Sequence, residues 1–302
     1  MPGMPAATGS WTIAHPEPPG NPPGYSSIYG LSCPSRTFCA AVDESGDAIL
    51  WNGSRWSTAQ PVSHGGTLES VSCTSSTFCA TVDDRQAMLF DGTAWATSNA
   101  FVPTQGIPIG GHQAVSCASP TFCAAVGSTG TVRTFDGTNW GNDTQLDTGT
   151  VSRPVQDISC ASPHSCVVVA ATGTIATLTG AVWSQQPSPD QFVLHSVSCP
   201  TALFCMALDL SGHALIFNGS AWRSTRSIPG LGALSYSVSC ATASHCVVAR
   251  SDGSVLTWKA GTWSAPRPVL DDGTQATVRI SCPTTTFCAL VDSSGSAATY
   301  RG

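Results

Sequence analysis

The chain has 302 residues, a mass of 31.0 kDa, a formal net charge of −6 and a pI near 5.5. No basic stripe is available to neutralise phosphates, so nucleic acid is excluded as an expected partner. Charged residues at 10% fall far below the roughly one quarter usual for soluble domains, while 41% hydrophobic content supplies a core. With one lysine, Lys259, and abundant Gly, Ser, Thr and Pro, the composition reads as all-β.

In chain order, Gly9-Ser10-Trp11-Thr12-Ile13 reads as a short strand, followed by a rigid proline-rich loop from Pro16 to Pro23. One unit then recurs seven times, starting near residues 29, 69, 113, 156, 195, 236 and 278. Its marker is C-x5-C, at Cys33/Cys39, Cys73/Cys79, Cys117/Cys123, Cys160/Cys166, Cys199/Cys205, Cys240/Cys246 and Cys282/Cys288. A serine stands before the first cysteine in all seven units (Ser32, Ser72, Ser116, Ser159, Ser198, Ser239, Ser281). Glycine follows the second cysteine by seven residues in six units; in the second unit, Asp84-Arg85-Gln86 makes that turn one residue shorter.

Each unit predicts four strands. The first is Ser-Val-Ser-Cys-like and the second resembles Phe78-Cys79-Ala80-Thr81-Val82. The third resembles Ala48-Ile49-Leu50-Trp51, and the fourth begins at a tryptophan (Trp56, Trp95, Trp140, Trp183, Trp222, Trp263). Asp-x-x-Gly, as in Asp43 to Gly46, marks a type I turn between the second and third strands. Asn52-Gly53, Asp91-Gly92, Asp136-Gly137 and Asn218-Gly219 mark tight hairpins before the fourth, where positive φ is needed. Four antiparallel strands every 39 to 44 residues are the signature of a seven-bladed β-propeller, read here as one domain over residues 1–302. The last unit stops at Gly302 without a fourth strand, and residues 9–14 are expected to complete it and seal the ring. By the same register the apolar run Cys166 to Trp183 is two strands, not a membrane span.

Zinc would need four ligands, commonly at C-x2-4-C spacing, drawn here from different units. A disulfide needs only two strand ends facing each other across one hairpin, and seven such bridges use all 14 cysteines. Disulfides persist in oxidising compartments, so the chain is expected to be secreted or on the cell surface. Met1 to Ser10 has no basic start and no apolar stretch, so a leader is expected to have been removed, or export to be non-standard.

The unit of C-x5-C, Asp-x-x-Gly and aromatic-x-Gly-x-x-Trp, from Trp11 to Gly302, resembles the disulfide-stapled propeller repeats of secreted bacterial proteins. More loosely, it is similar to propeller lectins, and that resemblance implies sugar binding between blades. Ser251-Asp252-Gly253-Ser254 is faintly similar to the Asp-box of sialidase-type propellers but lacks its spacing and carries no catalytic weight.

Function can lie where the repeats agree or where they diverge. The agreeing tryptophans, and the third-strand aromatics Trp51, Phe90, Phe135, Phe217, Trp258 and Tyr300 (Leu178 in the fourth unit), read as packing between blades, with a sugar platform as the alternative. The diverging positions lie just ahead of the first strand: Tyr29, Glu69, Gln113, Asp157, His195, Tyr236 and Arg279, which form the expected ligand-binding set at one mouth of the channel. Connecting loops add His64, His112, Asp143, Asp147, Asp190, Arg226, Asp271 and Asp272, and the last two are a candidate calcium pair. The alternative is that these loop residues are merely solvated. HExxH, GxSxG, P-loop and dinucleotide signatures are absent from the sequence, so no catalytic residue, cofactor or metal is assigned. The reading is a monomeric, non-enzymatic propeller binding a glycan or another extracellular ligand. The alternatives are a polysaccharide lyase or hydrolase using Glu69, His195 and Tyr236, or an extracellular protein-interaction scaffold.

Overall fold

The structure is a computed structural model and describes residues 9–14, 27–63, 65–83, 85–100, 114–127, 130–146, 155–225, 227–228, 236–270 and 277–302. Seven antiparallel sheets follow one another along the chain, the first six built from consecutive strands. The fourth blade is the most regular: Val155–Ser162, Ser165–Ala170, Thr174–Thr179 and Val182–Pro187 pair in that order. The seventh contains Val278–Thr284, Phe287–Asp292 and Ala297–Arg301, and Ser10–Ala14 adds its outer strand. Trp11 faces Tyr300 in that pairing, the register expected from the sequence. The molecule is a seven-bladed β-propeller whose first strand closes the ring.

The apolar residues are not pooled in one core. Each hydrophobic cluster joins two consecutive blades, such as Ala40, Val42, Val71, Met88 and Phe90 between the first and second. Ala41 and Ile49 of the first blade meet Val291 and Ala297 of the seventh, so the last interface is built like the others. The second strands therefore bury both faces, which is why they read as runs (Phe-Cys-Ala-Ala-Val) and not as alternations. The aromatics serve this packing. Phe38 stacks on Phe90 of the next blade at 6.0 Å, and Phe204 on Trp258 at 5.5 Å. Within blades, Trp51–Trp56, Phe90–Trp95, Phe135–Trp140 and Phe217–Trp222 pair at 5.2 to 5.6 Å.

Two local expectations are refined. In the Asn/Asp-Gly turns only the glycine has positive φ (Gly53, +92°), while Asn52 stays outside that region. Asn52 instead accepts the N–H groups of Ser54 and Arg55 through Oδ1, both at 3.0 Å, so its side chain closes the turn. The same contacts from Ala94 and Thr93 hold the Asp91 carboxyl at about 2. The outer strands are also less continuous than predicted. Trp56 and Trp140 each make one isolated bridge to the third strand, and pairing resumes at Gln60–Pro61 and Thr144–Gln145.

All seven C-x5-C pairs are disulfides, with Cα separations of 3.9 to 4.1 Å: Cys33–Cys39, Cys73–Cys79, Cys117–Cys123, Cys160–Cys166, Cys199–Cys205, Cys240–Cys246 and Cys282–Cys288. Both halves of each bridge pack in one inter-blade cluster, the second more deeply than the first. The second cysteine (Cys39, Cys79, Cys123, Cys166, Cys205, Cys246 and Cys288) is at most 3% exposed, because its strand is packed on both faces by neighbouring blades. These seven cysteines therefore belong to the packed core, and none of them lines the cavity at the mouth of the channel.

The serine ahead of each bridge has a task the sequence did not disclose. Ser32 Oγ accepts the Cys73 N–H of the following blade at 2.9 Å, and the same bond recurs between every consecutive pair of blades. Ser281 Oγ accepts from Cys33 at 2.9 Å and closes the circle. The inner strand of a blade is an edge, and its outward N–H groups need acceptors that its own sheet cannot supply.

Ser198→Ala removes the acceptor for the Cys240 N–H and should destabilise the protein by about 1–3 kcal/mol in a urea titration. Replacing Cys117 and Cys123 together by alanine reopens a short loop and should cost about 2 kcal/mol in the same assay. Equal stability of Ser198→Ala and wild type would show that the serine is there for its size alone.

Candidate functional site

Inner strands begin at one end of the channel, and there the chain departs from sevenfold equivalence. A cavity of ≈ 630 Å³ opens at that mouth, and Tyr29, Glu69, Asp157, His195, Tyr236 and Arg279 all line it. Gln113 lies outside the described residues, as do His64, His112, Asp147, Arg226, Asp271, Asp272 and the Pro16 to Pro23 segment.

The structure brings these side chains to the mouth by two different routes. In the first, fourth and fifth blades the inner strand carries a register shift: Ile28, Val155 and Leu194 pair with Asp43, Ala170 and Asp209, and pairing resumes two residues later. The skipped residues are Tyr29, Gln156 and His195, and such bulges re-aim a side chain. Leu68, five residues ahead of Cys73 and fully buried, keeps the same spacing in the second blade and leaves Glu69 in the skipped place. The sixth and seventh blades have no such shift, and Tyr236 and Val278 pair directly with Arg250 and Asp292. The residue four places before the cysteine is therefore a paired strand residue in these two blades. Tyr236 occupies the place of Ile28 and Leu194 and is 1% exposed, a wall residue and not an outward-facing group.

Across the mouth, His195 Nδ1 lies 3.2 Å from Gln156 Oε1, and Tyr29 donates its hydroxyl to Glu44 Oε2 at 3.3 Å. Asp157 accepts the Ile158 N–H at 2.8 Å through Oδ1, and through Oδ2 the Val197 N–H at 2.8 Å and the Ser196 hydroxyl at 3.1 Å. Burial nevertheless pushes its carboxyl above the usual range, against the pull of those donors and of Arg279. Burial likewise pulls the Arg279 guanidinium below its ordinary value, opposed by the fields of Asp157, Glu69 and Tyr29. The result is one asymmetric pocket with amide, imidazole, phenol, carboxylate and guanidinium groups on its wall.

Of the loop residues, Asp143 is paired with Arg133, with an Nη2–Oδ2 contact of 2.9 Å. Asp190 accepts from Ser188 and Ser224 at 3.1 and 2.9 Å, and lies beside Asp209 and His213. The ligating atoms of those three residues lie within 4.8 Å of one another, a set the sequence reading missed because Asp209 looks like any other turn aspartate. Its turn role is real: Oδ1 accepts the N–H groups of Ser211 and His213, and Oδ2 lies 3.0 Å from His213 Nδ1. These bonds account for the cluster without an ion.

No protein-family model matches the sequence, and no curated protein matches it. Solved structures match over almost its whole length. The chain is similar to U3-55K, with a TM-score of 0.73 and 12% identity over 92% of this chain and 96% of that one. It is similar to YCF48 bound to D1 peptide, with a TM-score of 0.71 and 14% identity over 97% of this chain and 95% of that one. The WD40 β-propeller domain of Doa1 gives 0.69 and 12% over 92% and 93%. These likenesses show the fold alone. The disulfides point to an oxidising environment, and no described helix is long and apolar enough to cross a membrane.

A carboxyl whose folded pKa is raised binds its proton more tightly in the folded state than in the unfolded chain. Its share of stability therefore rises as pH falls from above the raised folded value towards the ordinary one near 3.8, and is lost again as pH increases. Denaturant midpoints of wild type and Asp157→Asn between pH 4 and 8 should show this: the wild type gains relative to the variant as the solution is acidified. A constant difference would place Asp157 in a solvated setting.

Proposed function

We propose that the protein is an exported, monomeric, non-enzymatic binding module that takes one small polar ligand into the mouth of its channel, and that the ligand is a carbohydrate. The observation that carries this reading is the ≈ 630 Å³ cavity, a size ordinary for small-ligand sites, lined where the seven repeats stop agreeing. Gln156, His195, Tyr29 and the inner-edge serines offer donors and acceptors suited to sugar hydroxyls. The packing of the repeated aromatics argues for one site and against seven equivalent ones, since Trp51, Trp222 and Trp258 are buried between strands and blades. Seven disulfides support export.

A second reading, a segment of an extracellular partner protein, is favoured by a patch on the same face. Phe192 (42% exposed), Val193 and Leu210 flank the start of the fifth blade's inner strand and the end of its second, with the Leu210 N–H bonded to the Val193 carbonyl at 3.0 Å and the Phe192 ring stacked on His213 at 5.3 Å. Apolar side chains held open next to a polar cavity suit a protein partner. The peptide-bound YCF48 structure shares the fold and supports this use of it by analogy only. The polysaccharide-lyase or hydrolase alternative draws no comparable support, because its acid/base trio includes the buried Tyr236.

The soluble protein on a broad glycan array should bind a restricted set of structures, and Gln156→Ala or His195→Ala should weaken that binding at least about tenfold, as expected for lost bonds to a buried ligand. Silence on the array together with capture of a peptide whose binding depends on Phe192 and Leu210 would transfer the site to the second reading. Binding that ignores all four substitutions would remove the mouth as the site.

A further inference from the structure

The inner edges of the blades carry a second tier of hydrogen bonds, two residues ahead of the serine–cysteine ring. Ser70, Asp157, Ser196 and Ser237 accept the N–H groups of Val115, Val197, Val238 and Ile280 on the following blade, at 3.1, 2.8, 3.2 and 3.2 Å. Ala114 has no oxygen to offer the fourth blade, and Asp157 covers the gap by accepting its neighbour's Ile158 N–H. Five of the seven N–H groups at this level therefore have a side-chain acceptor.

The other two belong to Leu31 and Val71, on adjacent blades. Strand parity turns them the way the Cys33 and Cys73 N–H groups turn, towards the preceding blade and the channel, and both residues line the cavity. The residues standing where their acceptors would be are Arg279 and Gly30. Arginine has donors only. Glycine is imposed by packing, since a Cβ there would lie 2.6 Å from Val42 Cγ2 and 3.0 Å from the Val71 nitrogen. Arg279 donates one bond, to its own Val278 carbonyl at 3.0 Å, and lines the same cavity. Three consecutive blades (seventh, first and second) thus present two backbone N–H groups and a guanidinium to one wall, where the fourth, fifth and sixth blades present the oxygens of Asp157, Ser196 and Ser237.

Resting on the mouth as the binding site, the geometry points to a carboxylate-recognition subsite on this wall: the ligand carries a carboxylate that accepts from Arg279 and from the inner-edge N–H groups of Leu31 and Val71. A carboxylate has two oxygens and about four acceptor positions, enough to serve a guanidinium and edge amides together. Glu44, Glu69 and Asp157 also face the cavity, so Arg279 is the group that admits a negative charge. Asp157 competes least, because Ile158, Val197 and Ser196 already occupy its oxygens. The carboxylate could be borne by an acidic sugar or by a peptide C-terminus, which share this chemistry.

Amide spectra of the ¹⁵N-labelled full chain decide the matter. Titration with sodium acetate should shift the Leu31 and Val71 amides saturably, and acetamide, its neutral counterpart, should not. Glucuronate exceeding both acetate and glucose would assign the carboxylate to an acidic sugar; an acetylated tripeptide acid exceeding its C-terminal amide would assign it to a peptide. Arg279→Ser copies the arrangement of Ser237 on Ile280, supplies the Leu31 N–H from the chain itself, and should weaken acetate binding at least about tenfold by removing a charged partner. Amides that ignore every carboxylate, that respond equally to acetamide, or that respond unchanged in Arg279→Ser overturn the subsite. Binding of neutral glycans at the mouth in that same event would leave the proposed function standing.

Discussion

Seven hydrogen bonds of equal length, each from a cysteine N–H to the serine hydroxyl of the preceding blade, are the constraint on which this ring depends. A propeller blade has an inner edge strand, and the outward N–H groups of that edge point at the neighbouring blade instead of at a strand of their own sheet. The serine–cysteine dipeptide meets the difficulty twice over. The cysteine side chain ties the inner strand to the second strand of its own blade, and the cysteine backbone ties it to the blade before. Both follow from one register. Facing cysteines at a non-hydrogen-bonded position bring their Cα atoms close and turn their N–H groups out of the hairpin.

Because that ring is uniform, the positions just ahead of it are free to differ. One inserted residue in the inner strand rotates Tyr29, Gln156 and His195 into the mouth, while the uninserted sixth and seventh blades keep Tyr236 and Val278 in the wall. A second tier of side-chain acceptors runs part of the way round and stops at Arg279 and Gly30. The lining of the mouth is thus made by small departures from a repeated rule, and each departure changes which groups stand at the inner edge.

Blade cohesion and site formation draw on different residues. The aromatics lie on the flanks, where Phe38 on Phe90 and Phe204 on Trp258 bury large areas between sheets, and they leave the channel to polar groups. That division follows from the repeat, which places its aromatics on the blade flanks and not at the channel. Phe192, Val193 and Leu210 are partly exposed near the start of the fifth blade, with the Phe192 ring stacked on His213 at 5.3 Å.

The spacing of cysteine, glycine and tryptophan was enough to determine the number of blades, the disulfide partners and the strand that closes the ring, because each follows from a repeat that every unit must satisfy locally. Six of the seven residues read from divergence line one cavity, and their position was legible because divergence is visible against a fixed period. Their roles were not. Whether a residue four places before a cysteine faces the channel depends on a bulge, which changes the count by one and leaves no mark in composition. The serine ring, the inter-blade bonds of the acceptor tier and the approach of Asp190 to Asp209 and His213 join residues about 20 to 40 positions apart or more, across a blade boundary or between neighbouring loops. Such contacts come into being only when curved sheets are set side by side, so tertiary structure alone decided them.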